Sequence, residues 1–211
     1  MIPVILLLLT SMQAAEVGLL RDSSVWEYEG PGWTHRVELR KAGTERSDVY
    51  FEVLSRFHTP EFDATKTNLV RQNRETRTVT FVREIASPRQ VAGEARGLAR
   101  LLAGRGYPPL AEIPPAEAAS AVLVPGKIGV GSLLRTSIDF TPVAARTVTG
   151  IRVSGATTVL TCEADLSGAR AVESFDPGSA NLLDGSTIWN ARPGLQSAFR
   201  LTRFTPGYVA N

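Results

Sequence analysis

Alternation of apolar and polar positions is the clearest pattern in this chain. It runs through two stretches, residues 33–40 and 49–57, separated by a turn at residues 42–46 that contains a glycine. A period of two is the signature of a strand with one buried face, and neighbouring strands of this kind pair antiparallel. The pattern therefore predicts a hairpin whose buried face carries Trp33, His35, Val37, Leu39, Val49, Phe51, Val53 and Phe57.

The alternation breaks after residue 57. Residues 58–63 contain a proline, and residues 64–75 are almost entirely polar, which predicts a long loop. Residues 76–85 then resume a strand pattern.

A change of period predicts one amphipathic helix near residues 88–103. Ser87 precedes Pro88, which is a favourable N-cap followed by a favourable first helical residue. One face carries Val91, Ala95, Leu98 and Leu102, while Arg89, Arg96 and Arg100 occupy the other. Two Pro-Pro pairs in residues 106–120 exclude helix and central strand there, so this segment reads as a linker.

Short strand-like segments punctuated by Gly and Pro fill the rest of the chain. Strands separated by turn signals at even spacing favour a β-sandwich or a barrel. We therefore expect a mainly β protein, with antiparallel sandwich or barrel-like sheets and the one helix. The predicted division is a β-rich part over residues 16–105, the linker at 106–120 and an all-β part over residues 121–211.

The first 15 residues resemble a secretory signal. Residues 4–9 are an unbroken apolar run, and small residues follow at a plausible cleavage site before Ala15 or Glu16. The run is too short to span a bilayer, and the alternative is a buried N-terminal strand. Removal of residues 1–15 would give a secreted or periplasmic protein. Cys162 is the only cysteine, so no intramolecular disulfide can form, and its apolar setting favours a structural role over a nucleophilic one.

Composition adds few constraints. Formal net charge is +2, with 43% hydrophobic and 21% charged residues, which is ordinary for a globular chain. We expect no nucleic-acid partner, no transmembrane span and no cofactor. A partner, if there is one, would be a protein or a glycan outside the cytoplasm.

The densest group of metal-capable side chains is His58, Glu61 and Asp63, with His35 one strand away. An imidazole and carboxylates can bind a divalent ion, although zinc sites more often show paired His or Cys residues. The alternative is a surface turn after a strand.

Three further groups are candidates for binding or catalysis. Trp26 and Trp33 flank a Gly-Pro-Gly turn and could form an aromatic platform for a sugar or a peptide. The arginine face of the helix could contact an anionic surface. Two carboxylate pairs, Glu163/Asp165 and Glu173/Asp176, could serve a glycosidase. No catalytic residue can be assigned, since no Gly-x-Ser-x-Gly elbow is present.

Residues 159–184, with their Asp-x-x-Gly turn at 165–168, and the later Arg203-Phe204-Thr205-Pro206 resemble the C-terminal domain of TonB-type energy transducers. Tyr107-Pro108-Pro109 is similar to the entry motif of that family. The resemblance implies a helix after Asp184 and an exposed edge strand that pairs with an outer-membrane partner.

Three functional hypotheses follow. The leading one is an exported, non-enzymatic binding or structural module of the periplasm or cell exterior. The second is an exported hydrolase of glycans or peptides that uses carboxylates or a His58-centred metal site. The third is a TonB-like transducer domain.

Overall fold

The structure, a computed structural model, describes residues 14–85, 120–166, 169–189 and 192–209. These residues form strands and turns and contain no helix. The strands are β1 (Ala15–Glu16), β2 (Arg21–Asp22), β3 (Val25–Gly30), β4 (Trp33–Glu45), β5 (Asp48–Thr59), β6 (Phe62–Asn73), β7 (Val79–Glu84), β8 (Val122–Val124), β9 (Lys127–Ile128), β10 (Leu133–Thr136), β11 (Pro142–Ser154), β12 (Thr157–Leu166), β13 (Ala169–Asp176), β14 (Asn181–Trp189), β15 (Arg192–Thr205) and β16 (Tyr208–Val209).

Twelve strands form one antiparallel sheet in the order β10-β11-β12-β13-β14-β15-β3-β4-β5-β6-β7-β8. Its two end strands, β8 and β10, lie beside each other without a hydrogen-bonded ladder, so the sheet curls into a nearly closed barrel. The expectation of a mainly β protein with antiparallel, barrel-like sheets is confirmed.

Strands from both sides of the proline-rich segment belong to this one sheet, because β3 pairs with β15 and β7 pairs with β8. The predicted helix near residues 88–103 and residues 106–119 of the predicted linker lie outside the described residues, as do residues 1–13. The predicted division of the chain into parts stays a prediction.

The hairpin expected from the alternating pattern is present as β4 and β5, with Leu39 paired to Val53. The long loop expected at residues 64–75 is absent, because β6 runs through that segment. Its inward positions include Asn68 and Gln72, which are buried with hydrogen-bond partners. Polar residues on the buried face conceal the strand period, and this is why the sequence suggested a loop.

The helix implied after Asp184 by the resemblance to TonB-type transducers is also absent. Asp184 lies within β14, which pairs with β13 on one side and β15 on the other. The last long strand, β15, is likewise paired on both edges, by β14 and β3. The order of strands therefore offers no free edge there for a partner strand.

The interior of the barrel is filled by the inward-facing side chains of nearly every strand. Alternate residues of each strand point inward, so burial alternates along β3, β4, β5 and β13. The largest fully buried side chains are Trp26, Tyr28, Phe51, Phe140 and Phe175.

Residues 14–24 lie across the lower end of the barrel, which carries the β4–β5 and β6–β7 turns. β1 pairs with β9, β2 pairs with β16, and Leu20 is buried against the core. Gln72 fixes this segment, since its Oε1 accepts from the Leu20 N–H at 2.7 Å and its Nε2 donates to the Gly18 carbonyl at 2.8 Å. A Cβ at Gly18 would lie 2.0 Å from the Gly178 carbonyl oxygen, so glycine is required at this contact.

The connection between β10 and β11, residues 137–141, turns into the barrel, and we call it the inner loop. Phe140 is fully buried, and its ring meets Trp26 edge to face at 6.1 Å. Asn68 of β6 donates to the Asp139 carbonyl at 3.0 Å, and Asn181 of β14 donates to the Ile138 carbonyl at 3.0 Å. Because β6 and β14 are five steps apart in the twelve-stranded order, the inner loop is held from nearly opposite walls.

Candidate functional site

A row of polar side chains crosses the outer face of the barrel near its upper end, which carries the β3–β4 and β5–β6 turns. The register places one residue from each of six adjacent strands directly opposite its neighbour. Directly opposed residues of an antiparallel pair share a face, so all six point outward. We call this set the rim row, and its members in order are Asp184, Arg200, Glu29, Thr34, His58 and Asp63.

A cleft of about 530 Å³ opens over the middle of the rim row, and we call it the rim notch. It lies where β3 ends at Gly30 while the neighbouring β15 extends beyond it. Its volume falls within the range of small-molecule sites, about 300–1,000 Å³. The residues that matter for its chemistry are Glu29, Trp33, Thr34, His58, Phe199 and Arg200.

Trp33 forms the aromatic wall of the rim notch. Its indole lies against Gly30, where a Cβ would come within 2.3 Å of the ring. Phe57 packs against the indole with ring centroids 5.5 Å apart. The ring is therefore fixed by two neighbours, so the binding of a ligand against it costs little side-chain entropy of Trp33.

Two polar pairs lie on the outward face of the wall at the notch. The guanidinium of Arg200 binds Glu29, with its Nε donating to Oε1 at 2.7 Å. His58 and Asp63 are joined through Nδ1 and Oδ1 at 2.5 Å. Within the described residues, neither Glu29 Oε2 nor His58 Nε2 has a protein partner, so each can bind a ligand in the notch.

Of the predicted metal ligands, the structure brings together His58 and Asp63. In the part of the chain that the structure describes, no group of three or more metal-capable side chains comes together. His35 lies on the inward face of β4, and His58 lies on the outward face of β5. The barrel wall therefore separates the two histidines, while Glu61 lies in the turn between β5 and β6.

His35 belongs to the interior instead. Its Nε2 is hydrogen-bonded to the Ser55 hydroxyl at 2.6 Å, and its ring meets Phe57 edge to face. Burial lowers the pKa of the His35 imidazole below its ordinary value, and the Asp139 carboxylate offsets this only in part. The neutral imidazole is therefore favoured in the folded protein.

Asp139, on the inner loop, is the charged group that acts on the pKa of His35. Burial raises the pKa of this carboxyl, but the ammonium of Lys66, the ring of His35 and hydrogen bonds from Ser137 and Thr141 outweigh it. The net pKa of Asp139 lies below its ordinary value, so the carboxylate form is favoured.

The other predicted binding residues fall in different places. Trp26 is only 1% exposed and stacks on Phe204 with centroids 5.3 Å apart, so it is a core residue and no surface platform. Arg89, Arg96 and Arg100 lie outside the described residues. Trp33 is thus the predicted aromatic that lines the notch.

The two predicted carboxylate pairs lie in different parts of the barrel. Glu163 faces outward and is bound by Arg170, whereas Glu173 faces inward and pairs with Arg146. Asp176 accepts from the backbone N–H groups of Gly178 and Ser179, which is a turn-stabilising role. Glu173 and Asp176 therefore have separate roles, whereas Glu163 and Asp165 lie on the same outward face of β12 beside Arg170.

Cys162 lies beside the Arg146–Glu173 pair in the interior. Burial raises the pKa of its thiol to about 12, with a further contribution from the Glu173 carboxylate. The thiol therefore stays protonated at neutral pH, which supports the structural role expected for it.

Sequence reasoning missed four residues of the notch, which are Glu29, Thr34, Phe199 and Arg200. Arg200 and Glu29 are 171 positions apart in the chain and meet through the pairing of β15 with β3. For Glu29 and Arg200 the only sequence signal was a charged residue at an alternating position, and many outward positions of this barrel share that signal.

These features define the class of protein: a nearly closed, twelve-stranded antiparallel barrel with a plugged lower end and an aromatic-lined notch at its upper rim. No family model matches the chain, and no curated protein matches it. Among solved structures, the 2.0 Å resolution structure of the hypothetical protein CT021 from Chlamydia trachomatis is similar over 94% of this chain and 96% of that chain, with a TM-score of 0.40 and 5% identity. The described residues include no helix long and apolar enough to cross a membrane.

Proposed function

We propose that this protein is an exported, non-enzymatic binding module of the periplasm or cell exterior, and that its ligand occupies the rim notch. The observation that carries the proposal is the notch itself, which is lined by an indole fixed by Gly30 and Phe57 and by members of two polar pairs. Concave sites with an aromatic wall and a few convergent polar groups are the usual form of ligand sites.

Export is supported by the apolar run at residues 4–9 and the small residues that follow it. Cleavage before Ala15 would leave β1 intact, together with the residues that close the lower end. A fractionation experiment with a C-terminally tagged full chain tests this part: the tag is expected outside the cytoplasm, at the mass of the shortened chain. Recovery of the full-length chain in the cytoplasm would contradict it.

Ligand binding is tested with a thermal-shift screen of a chemically diverse library against the purified protein. A ligand of the notch should raise the melting temperature of the wild type and lose this effect with Trp33→Ala. Tyr208→Ala is the matched control, since Tyr208 is an exposed aromatic on β16 near the lower end. The proposal fails if no compound shows an effect that depends on Trp33.

A hydrolase is the second candidate, and the alignment of Thr34, His58 and Asp63 favours it. His58 lies between the other two in the rim row, with Asp63 orienting its Nδ1. An imidazole oriented in this way can act as a general base toward a hydroxyl or a water. Hydrolysis of ester, peptide or glycoside substrates by the wild type and its loss with His58→Gln would support this candidate over the binding module.

A further inference from the structure

We infer that the ligand of the rim notch is a neutral saccharide whose ring lies with its C–H face against Trp33. This inference rests on the proposed function, because it names the ligand class of that same site. Its support is the balance of charge in the notch, the hydrogen-bonding atoms that remain available, the indole of Trp33 and the single carboxylate in the lining.

The polar side chains at the notch form two pairs. Arg200 is bound to Glu29, and His58 is bound to Asp63. The opposite charges of Arg200 and Glu29 cancel at close range, so an anionic or a cationic ligand gains little net attraction from this pair. A neutral ligand leaves both pairs in place, so the arrangement selects against net charge.

The atoms left over suit hydroxyl groups. Both hydrogen bonds from Arg200 end on Oε1 of Glu29, so Oε2 remains an acceptor as far as the described residues show. Thr34 presents a hydroxyl beside them, and the guanidinium keeps further N–H donors. A saccharide hydroxyl both donates and accepts, so it can bind between a carboxylate and a guanidinium without leaving either unsatisfied.

Trp33 supplies the apolar part of the site. Gly30 and Phe57 pack against the indole, and Trp33 lines the notch. The axial C–H groups of a sugar ring form an apolar face that matches an aromatic ring in size and polarity.

The number of carboxylates in the notch favours binding over cleavage. Among the described residues that line the notch, Glu29 is the one carboxylate. Glycosidases place their two carboxyl groups about 5–9.5 Å apart. The rim notch therefore has hydrogen-bonding groups for a sugar but lacks the paired carboxylates for hydrolysing it.

The test is titration of the purified full chain with three panels: neutral oligosaccharides (β-1,4-glucose, β-1,4-N-acetylglucosamine, β-1,4-xylose and α-1,4-glucose series), anionic oligogalacturonates, and short peptides. Binding is followed by tryptophan fluorescence and isothermal calorimetry. We expect at least one neutral series to bind, with affinity nearly independent of salt, and a loss of about tenfold or more with Trp33→Ala. Glu29→Gln, which keeps the shape of the side chain, should weaken binding, and Tyr208→Ala should leave it unchanged.

Two results would overturn the inference: no neutral oligosaccharide binds at about 10 mM, or the anionic series binds more tightly and loses affinity as salt rises. The binding-module proposal is judged separately. It survives either result if the diverse library contains a ligand that depends on Trp33, and it fails with the inference if no such ligand exists.

Discussion

Arg146 and Glu173 form an ion pair in the interior of the barrel, although β12 runs between their strands. Arg146 Nη2 donates to Glu173 Oε1 at 3.1 Å, and Nη1 donates to the Thr136 carbonyl at 2.9 Å. The side chains are only 8% and 9% exposed. A pair this deeply buried compensates its own desolvation through close contact, so each partner depends strongly on the other.

We therefore expect Glu173→Leu and Arg146→Met each to lower the free energy of unfolding by about 3–5 kcal/mol, because each leaves one buried group without its counterion. The double variant Arg146→Met/Glu173→Leu should recover most of that loss. Urea denaturation of the four proteins gives the coupling energy directly. A double variant as unstable as the sum of the two singles would show that the residues act independently.

The thiol of Cys162 should be unreactive in the native protein. With its pKa raised to about 12 by burial and by Glu173, the thiolate fraction at pH 8 is about one part in ten thousand. Labelling with a disulfide reagent should be negligible in native buffer and stoichiometric in denaturant. Glu173→Gln offers a comparison, because it removes one of the two causes that raise the pKa of the thiol. Rapid labelling of the native wild type would contradict the buried position.

Local pattern was enough to predict much of the fold. Alternation over residues 33–57 predicted the β4–β5 hairpin, and the pattern of the second half predicted a run of strands. Several of these strands are longer than expected, since β11 has 13 residues and β15 has 14. The pattern failed at β6, where buried amides such as Asn68 replace apolar residues on the inward face. Only partners distant in sequence, such as the inner loop, make those amides stable there, and single-sequence periodicity carries no information about them.

The candidate site was harder to predict, because the rim row is created by register. The pairing of β15 with β3 brings Arg200 to Glu29, and nothing in either segment alone indicates that partner. Proximity in sequence pointed to His35 beside His58, whereas alternation along β4 and β5 places them on opposite faces of the wall. A strict application of the two-residue period separates these histidines from sequence alone.

The free energy of unfolding should fall as the pH drops below about 6.5, because folded His35 is harder to protonate than His35 in the unfolded chain. The pKa of His35 in the folded protein is below its ordinary value, mainly because of burial. Between an unfolded-state pKa of about 6.5 and the lower folded value, the unfolded chain binds the extra proton, so acid favours unfolding. Asp139 contributes only at lower pH, because its pKa also lies below its ordinary value.

Urea midpoints measured from pH 7.5 to 5 should decline for the wild type and decline less for His35→Gln. The His58→Gln variant retains His35 and serves as the control. An unchanged slope in His35→Gln would refute the assignment.

Asp63 should matter to binding and hardly to folding. Its carboxylate and the His58 ring are 80% and 61% exposed, and ion pairs this exposed contribute about 0–1 kcal/mol to stability. Asp63→Asn should therefore leave the melting temperature nearly unchanged. It should lower the affinity for the notch ligand several-fold, because the His58 ring is no longer oriented by Asp63. A calorimetric titration beside a melting curve separates the two effects. A large fall in melting temperature would assign Asp63 a structural role instead.

The inner loop gives a test of coupling across the barrel. Asn68 and Asn181 donate to adjacent carbonyls of this loop, those of Asp139 and Ile138, from nearly opposite walls. Each substitution to alanine should cost about 1–3 kcal/mol, since a buried carbonyl loses its donor. If both amides hold one loop, the first substitution already releases it, so the second has less stabilisation left to remove. The double variant should then lose less free energy of unfolding than the sum of the two single losses.

The matched control for this cycle is Asn73→Ala combined with Asn181→Ala. Asn73 is an amide of the same strand as Asn68, but it binds Ser47 and Asp48 at the lower end. Its effect should add to that of Asn181→Ala within about 0.5 kcal/mol. Urea denaturation of both cycles decides the matter: equal additivity in the two would show that the walls hold the inner loop through separate, uncoupled contacts.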